Sequence, residues 1–286
     1  MKQLLILSGK GGTGKTTVAG AFIKLSNCKS YADCDVDAPN LHLIMKQTKK
    51  AEIKDFYGMK KYEIDENKCN GCGICQKYCR FEAIHKTNNN YQIDTIACEG
   101  CAVCELVCPQ GVIKPKEHIS GELQFYRSNS IFSTAKLNTG GGNSGLLVTE
   151  VKKKLRQENS FDFEIIDGSP GIGCPVIASM SGADLILLVT EPSLSGISDM
   201  KRIATTAKKF HIPTAVCINK ATKLLKNINL IIDYCKKNNI PMIGIIPYDK
   251  TVTASINQGL SIVDLICPAG DAVKEVYENV FQILFA

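Results

Sequence analysis

A glycine- and lysine-rich stretch near the start of the chain has the residue types that bind phosphate. The sequence G-K-G-G-T-G-K-T-T covers residues 9–17, follows the apolar run 4–7 and precedes a helical pattern. Glycines let backbone N–H groups close around phosphate oxygens, and the start of the following helix favours an anion. We therefore predict a site for a nucleoside triphosphate, with Lys15 against the terminal phosphates and the Thr16 hydroxyl on Mg²⁺.

A second group of reactive residues consists of eight cysteines within residues 69–108. The spacing C-x₂-C-x₂-C-x₃-C occurs twice, and Pro109 follows the second copy. In the bacterial ferredoxin pattern, three thiolates of each copy hold one 4Fe–4S cluster and the fourth cysteine ligates the other cluster. This predicts two ligand sets: Cys69, Cys72, Cys75 and Cys108 for one cluster, and Cys79, Cys98, Cys101 and Cys104 for the other. Zinc is the alternative, but a nearby zinc-type histidine pair is missing.

Composition narrows the classes of function. The chain has 286 residues, 14 cysteines and a formal net charge of +6. Without a secretory leader, this density of cysteines indicates metal binding in a reducing compartment, so we expect a cytoplasmic protein. Two clusters with their thiolates would carry about −2 each and lower the net charge to about +2. We therefore expect no nucleic-acid partner.

The elements that must position these residues alternate between strands and helices. The apolar run 4–7 is followed by a helix over 16–25 and a strand over 30–35, and regular alternation resumes after residue 145. This order predicts an α/β fold with a mostly parallel sheet covered by helices on both faces. The closing stretch 272–285 lacks the basic face of a membrane-surface helix, so we predict a docking helix and no stable membrane anchor.

The cysteine-rich segment interrupts this alternation and contains a repeat. "YEIDENKC" (62–69) and "YQIDTIAC" (91–98) are offset by 29 residues, as are the two sets of cysteines. We predict a duplicated α+β unit of the two-cluster ferredoxin type, inserted into the nucleotide-binding domain. The predicted domains are 1–59 and 119–286 for the two parts of the nucleotide-binding domain, and 60–118 for the insert.

The second lysine of the phosphate loop makes the motif more specific. K-G-G-x-G-K-T, with Lys10, resembles the deviant Walker A loop of the MinD/ParA class of P-loop ATPases. That class also contains the nitrogenase iron protein and iron–sulfur carrier ATPases. The resemblance implies that Lys10 reaches across a dimer to the partner's nucleotide, where a cation stabilises the charge that develops in phosphoryl transfer. A homodimer and a heterodimer with a paralogous ATPase both remain open.

The same resemblance extends to later segments. D-C-D-V-D-A-P-N (33–40) is similar to switch I, and Asp35 matches the acid that orients the attacking water, with Asp33 and Asp37 as alternatives. I-I-D-G-S-P-G (165–171) is similar to the Walker B strand and switch II. The implied catalytic residues are Lys10, Lys15, Asp35 and Asp167, and Asp167 also holds Mg²⁺ with Thr16. The implied ATP contacts are Gly9, Lys10, Gly11, Gly12, Thr13, Gly14, Lys15, Thr16, Thr17, Gly171 as γ-phosphate sensor, and Asn219, Pro247 and Asp249 at the base.

These features together imply an Mg²⁺-dependent ATPase that carries two 4Fe–4S clusters. We expect ATP hydrolysis to be coupled to electron transfer or metal-cofactor maturation on an unidentified redox or metal-cofactor protein. The alternatives are a MinD-like spatial regulator of cell division and an iron–sulfur cluster carrier. Cys174 follows switch II, but a cluster bridging two subunits needs a second cysteine per subunit, so we predict a buried structural thiol.

Overall fold

A mostly parallel nine-stranded sheet organises the chain. The computed structural model describes residues 1–88, 90–222 and 225–286. Its strands are β1 (Lys2–Ser8), β2 (Ser30–Asp33), β3 (Glu52–Tyr57), β4 (Lys61–Ile64), β5 (Ile84–Thr87), β6 (Asn90–Ile93), β7 (Ile113–Lys116), β8 (Ile119–Arg127), β9 (Ile131–Leu137), β10 (Phe163–Pro170), β11 (Leu185–Thr190), β12 (Thr214–Ala221) and β13 (Met242–Pro247). The large sheet has the order β13-β12-β11-β1-β10-β2-β9-β8-β3. The strands from β13 to β9 run parallel to one another. β8 is antiparallel to both of its neighbours, β9 and β3.

Helices cover both faces of this sheet. They are α1 (Lys15–Leu25), α2 (Leu41–Ile44), α3 (Ile74–Tyr78), α4 (Val103–Val107), α5 (Ser144–Glu158), α6 (Cys174–Met180), α7 (Leu194–Lys209), α8 (Leu225–Lys237), α9 (Thr251–Asn257) and α10 (Pro268–Phe285), with a 3₁₀ turn at Ile262–Asp264. Leu5 and Leu7 pack with α5 to α8, whereas Leu4 and Ile6 pack with α1 and α10. Successive side chains of a strand point to opposite faces, so a strand buried on both faces is a continuous apolar run. The predicted α/β class is confirmed.

Several elements differ from the sequence-based expectations. β2 ends at Asp33 rather than at residue 35, because the Asp33 carboxylate accepts the backbone N–H groups of Asp35, Asn40 and Leu41 and turns the chain. β9 was not predicted, although it lies inside the sheet beside β2. Its buried residues include Ser133, whose hydroxyl donates to the Val151 carbonyl, so the strand lacks the apolar run of its neighbours.

The cysteine-rich segment has small sheets of its own. β4 pairs with β7 and β5 pairs with β6, both antiparallel, and the two short helices α3 and α4 complete the unit. The repeat is visible in the backbone, since Gly73 (φ 74°) precedes α3 and Ala102 (φ 67°) precedes α4, both in the left-handed region. A separate apolar cluster fills this unit. Among the described residues, no helix is long and apolar enough to cross a bilayer.

Candidate functional site

The phosphate loop connects β1 to α1 at the carboxyl edge of the sheet. Gly14 adopts φ +89°, and a Cβ there would lie 2.2 Å from Nδ2 of Asn219. The same Nδ2 donates to the Thr13 carbonyl at 2.7 Å, and Nζ of Lys220 donates to the Gly12 carbonyl. The end of β12 therefore holds the phosphate loop through these two hydrogen bonds. Position 14 must be glycine because Asn219 lies too close for a Cβ. Asn219 was predicted from the sequence as a contact to the base. The hydrogen bonds by which Asn219 and Lys220 hold the phosphate loop were not predicted.

A large cleft opens at this edge of the sheet. Ligands of open α/β sheets bind at the carboxyl ends of the strands, as here. Tyr248 also lines the cleft and was not predicted. The predicted residues that line it are Gly11, Gly12, Thr13, Gly14, Lys15, Thr16, Thr17, Asp35, Asn219, Pro247 and Asp249.

Opposite charges meet beside the loop. Nζ of Lys15 lies 2.5 Å from Oδ1 of Asp167, and both side chains are buried. Burial lowers the pKa of Lys15, but the charges of Asp167 and Asp33 outweigh it and the net shift is upward. Among the described residues, Oδ2 of Asp167 has no hydrogen-bond partner. A buried, unpartnered carboxylate oxygen beside the cleft fits the prediction that Asp167 acts with Thr16 in holding Mg²⁺.

The acids of the predicted switch I have different surroundings. Asp33 is fully buried, and burial together with the Asp167 charge raises its pKa to about 7. Asp37 is exposed. Asp35 is half-buried on the cleft wall, where burial raises its pKa and Lys15 opposes that shift. Of the three acids, Asp35 is the one that faces the cleft.

Lys10 does not line the cleft. Its Nζ forms an ion pair with Oε1 of Glu191 and lies 3.2 Å from the Ser195 hydroxyl. Burial raises the pKa of Glu191, but hydrogen bonds from Lys10 and Ser193 outweigh it, and the net shift is downward. Glu191 and Ser195 were not singled out from the sequence. In this single chain, Lys10 is therefore held at the surface, away from its own nucleotide cleft.

The remaining predicted contacts lie around the cleft. The Gly171 N–H donates to the Ser8 carbonyl at 3.0 Å, which places the start of switch II beside the phosphate loop. Gly9 packs against Asp199, where an added Cβ would lie 2.1 Å from the Asp199 Cβ. Asp249 accepts from the backbone N–H and hydroxyl of Thr251 at the start of α9. Asp249 therefore holds the first residue of α9 and also lines the cleft wall.

The eight clustered cysteines separate into two cavities. One cavity is lined by Cys79, Cys98, Cys101 and Cys104. The other is lined by Cys69, Cys72, Cys75 and Cys108. Each cavity combines three cysteines of one repeat with the fourth cysteine of the other, which is the arrangement expected for two-cluster ferredoxins.

The two cysteine cavities have similar, largely apolar surroundings. Apolar side chains complete both walls, among them Tyr62 and Ile84 in one and Tyr91 and Ile113 in the other. Burial raises the pKa of Cys104 to about 11, and the neighbouring Cys98 and Cys101 add to this shift. Within the described ranges, no group of three or more His, Cys, Asp or Glu is arranged around a point for one ion.

Two further contacts, of Gly140 and of Cys174, lie outside the cleft and the cysteine cavities. A Cβ on Gly140, in the glycine-rich loop before α5, would lie 2.7 Å from the Ile96 side chain of the second cysteine repeat. Cys174 is exposed at the start of α6 and lies against Gly145, so the prediction of a buried thiol was wrong. It starts a helix that leaves the sheet edge directly after switch II, and only its later residues reach the core.

Comparison with known proteins places this geometry in a family. Residues 4–262 match the CobQ/CobB/MinD/ParA nucleotide binding domain, CbiA. An uncharacterized protein of Methanocaldococcus jannaschii is 31% identical over 287 residues, covering 99% of this chain and 97% of the relative. An iron–sulfur cluster carrier protein of Pyrococcus abyssi is 24% identical over 302 residues, 99% of this chain and 86% of the carrier.

A solved structure agrees with this assignment at the level of the fold. The septum site-determining protein MinD of Pyrococcus horikoshii, complexed with Mg-ADP, superposes with a TM-score of 0.58 at 18% identity, covering 99% of this chain and 96% of that one. The match of sequence and fold runs through both parts of the large sheet. The chain therefore belongs to the CobQ/CobB/MinD/ParA family of nucleotide-binding P-loop ATPases.

Proposed function

We propose that this ATPase carries two 4Fe–4S clusters and couples Mg²⁺-dependent ATP hydrolysis to electron transfer, or to metal-cofactor maturation, on a partner protein. The observation that carries the proposal is the sorting of eight cysteines into two cavities of four, on a chain with the family's nucleotide cleft. ATP binding and hydrolysis alone do not require two such sets of thiols. The proposed partner is a redox or metal-cofactor protein, and the proposed compartment is the reducing cytoplasm.

The pairing of strands supports the proposed domain division. β3 and β8 pair with each other in the large sheet, whereas all strands between them belong to the small sheets. The proposed insert is 60–118, flanked by 1–59 and 119–286 of the ATPase. When bound there, the clusters would supply sites that each accept and release one electron.

Each residue of the ATPase site has a proposed task. Lys15 exchanges its Asp167 contact for the β- and γ-phosphates, and the freed Asp167 carboxylate acts with the Thr16 hydroxyl on Mg²⁺. Asp35 orients the attacking water from the cleft wall. Lys10 leaves Glu191 and reaches the nucleotide of the other subunit in a homodimer or a paralogous heterodimer. Gly171 senses the γ-phosphate.

Iron analysis of anaerobically reconstituted protein tests the cluster half of the proposal. We expect about eight iron atoms per chain, the content of two 4Fe–4S clusters. Replacing Cys75 or Cys104 by serine should lower the iron content, and C174S is the matched control because Cys174 lies outside both cavities. An unchanged iron content in C75S and C104S would contradict the assignment of ligands.

Light scattering tests the ATPase half. K10A should stay monomeric with ATP while still binding the nucleotide, because Lys10 does not line its own cleft. K15A is the companion variant and should lose nucleotide binding itself. ATP-dependent dimers of K10A would rule out a trans-acting lysine.

An iron–sulfur carrier is the second candidate, since a relative with that name aligns over 99% of this chain. A carrier gives up its clusters, whereas a relay keeps them. Mixing the loaded protein with an apo-acceptor separates the two, because iron that moves to the acceptor with ATP favours the carrier. A MinD-like spatial regulator would instead co-sediment with liposomes in an ATP-dependent way.

A further inference from the structure

A buried lysine lies against the second cysteine repeat. The Lys61 side chain is 5% exposed, and its Nζ donates a hydrogen bond to the Cys98 carbonyl. Within the described part of the chain, no carboxylate lies within 4.0 Å of this ammonium. A buried charge without an opposite partner is costly, so such a residue calls for an anion nearby. Lys61 lines an adjoining open cavity with Glu63, Glu66 and Glu117. It reaches the cavity of Cys79, Cys98, Cys101 and Cys104, where the proposed function places an anion, through the Cys98 carbonyl.

The internal repeat supplies a natural comparison. Lys61 precedes Tyr62 on β4, and the residue 29 positions later, Asn90, precedes Tyr91 on β6. Tyr62 lines the cavity of the second repeat's cysteines, and Tyr91 lines the cavity of the first repeat's cysteines. Asn90 donates from Nδ2 to the Glu66 carbonyl at 3.0 Å, just before the first cysteine loop. Equivalent positions thus carry an ammonium that contacts a cysteine of one cavity and a neutral amide that contacts the segment before the first cysteine of the other.

The other charges around Lys61 are exposed or paired. Glu99 lies on the rim of the same cavity, but its side chain is exposed. Glu63 pairs with Lys116 at 2.9 Å, and Glu117 pairs with Lys60 at 3.6 Å. Water and salt screen exposed charges, whereas a buried charge acts through a medium of lower dielectric constant. Glu105 contacts Tyr62 of the same cavity and lies 3.9 Å from Lys114. Of these charged side chains, Lys61 is the buried one, and it is hydrogen-bonded to the wall of the second repeat's cavity.

We propose that Lys61 makes the cluster of Cys79, Cys98, Cys101 and Cys104 the one of higher reduction potential, so that an electron entering the unit settles there. This proposal rests on the proposed function, because it requires both clusters. Reduction adds one negative charge to a cluster, and a nearby buried cation stabilises that charge. Lys61 is thus a positioning residue for the electron rather than a ligand.

The cluster that holds the electron belongs to the second repeat, which contacts the nucleotide-binding part of the chain. The second repeat contacts the nucleotide-binding part through Ile96 and the loop of Gly140. An external one-electron donor reduces either cluster, and the electron passes from the first repeat's cluster, which is thereby oxidised, to the second repeat's, which is thereby reduced. One electron moves and no bond is made or broken. Lys61 thus holds the electron on the side of the unit that contacts the ATPase.

A potentiometric titration with EPR detection tests this assignment. Dithionite-reduced wild-type protein should show two one-electron steps. K61Q should lower the higher reduction potential by about 59 mV or more and leave the lower potential unchanged. For one electron, about 59 mV corresponds to a tenfold change in the ratio of reduced to oxidised cluster. K61R keeps the charge and should retain the wild-type potentials.

The reciprocal variant N90K uses the repeat as its own control. A lysine at this position should raise the lower potential and leave the higher one in place. Unchanged potentials in both K61Q and N90K, with iron content at the wild-type level, would overturn the role of Lys61. A shift of the lower potential in K61Q would also overturn it. Wild-type protein without iron would instead overturn the proposed function, so the two failures are distinguishable.

Discussion

Three aspartates within five residues, Asp33, Asp35 and Asp37, show how surroundings divide one motif into different tasks. Asp33 is buried and accepts three backbone N–H groups at 2.9 to 3.0 Å. Asp35 faces the cleft, and Asp37 faces solvent. The sequence left all three open for orienting the attacking water, because position along a motif does not reveal which carboxylate the backbone occupies.

Alanine substitutions should separate these tasks. D35A should keep its fold and bind ATP, with hydrolysis reduced by about 10²-fold, the usual size of one positioned acid–base group. D33A should instead lower the free energy of unfolding by about 2 to 3 kcal/mol, because backbone donors lose a charged acceptor. Phosphate release and urea unfolding measure the two effects. D37A is the control, and a loss of hydrolysis in D37A equal to that in D35A would contradict the assignment.

A second residue-scale prediction concerns pH. Lys152 of α5 is buried, and its Nζ donates to Oε1 of Gln3 and to the carbonyls of Ser179 and Ser181. Burial lowers its pKa to about 8, against an unfolded value of 10.5. Between these values the unfolded chain binds more protons, so the free energy of unfolding rises with pH.

Urea unfolding at pH 7.5 and pH 10 measures this dependence. Lys152 should contribute an increase of at most about 3 kcal/mol, at about 1.4 kcal/mol per pKa unit. K152M should lose that increase, although it is less stable at both pH values because carbonyls lose their donor. K153M, at the exposed neighbouring position, should keep it. If the free energy of unfolding depended on pH equally in K152M and wild type, burial would not lower the pKa of Lys152.

At the scale of elements, the two left-handed residues before α3 and α4 differ in their cost. Gly73 adopts φ 74° freely, and a Cβ there would lie 2.7 Å from the Tyr91 hydroxyl. Ala102 adopts φ 67° with a Cβ, a conformation that costs about 1 to 2 kcal/mol for an L-residue. The second repeat therefore carries backbone strain that the first does not.

Exchanging these residues should have opposite effects. A102G should raise the stability of the cysteine unit by about 1 kcal/mol, since relief of strain exceeds the entropy that glycine adds to the unfolded chain. G73A should lower the stability by more than this, because strain and the Tyr91 contact add. Urea midpoints of anaerobic, cluster-loaded protein report both effects, and a destabilising A102G would contradict this reading of the backbone.

The elements also show what can be read from a sequence. β11 (Leu185–Thr190) is an apolar run within the region after residue 145, where alternating strands and helices were predicted. Such a run is readable because a strand buried on both faces is apolar throughout. β9 escaped prediction, since Ser133 satisfies its hydroxyl within the fold and leaves no apolar pattern. In the site, motif residues with backbone roles were predictable, whereas Glu191 and Lys220 were not. Their contacts to Lys10 and Gly12 join segments distant in sequence.

At the scale of the whole molecule, the nucleotide cleft and the cysteine cavities are separate sites on one chain. The glycine-rich loop of Gly140 contacts the second cysteine repeat and leads into α5, which packs against α6 directly after switch II. The contact at Gly140 lies at the surface, where Ile96 is 63% exposed, and α5 and α6 connect it to the segment after the predicted switch II. The proposed coupling would be reciprocal, so a nucleotide that shifts the cluster potentials would also bind with an affinity that depends on cluster reduction.

The most direct measurement of this coupling compares the reduction potentials of the clusters with ADP and with ATP. In wild-type protein at least one of the two potentials should differ between the nucleotides, because only ATP closes the proposed dimer. In K10A the potentials with ADP and ATP should coincide, since ATP binds without closure. Identical potentials in wild-type protein, at full iron content and with an ATP-dependent dimer present, would contradict the claim that the ATPase acts on the clusters.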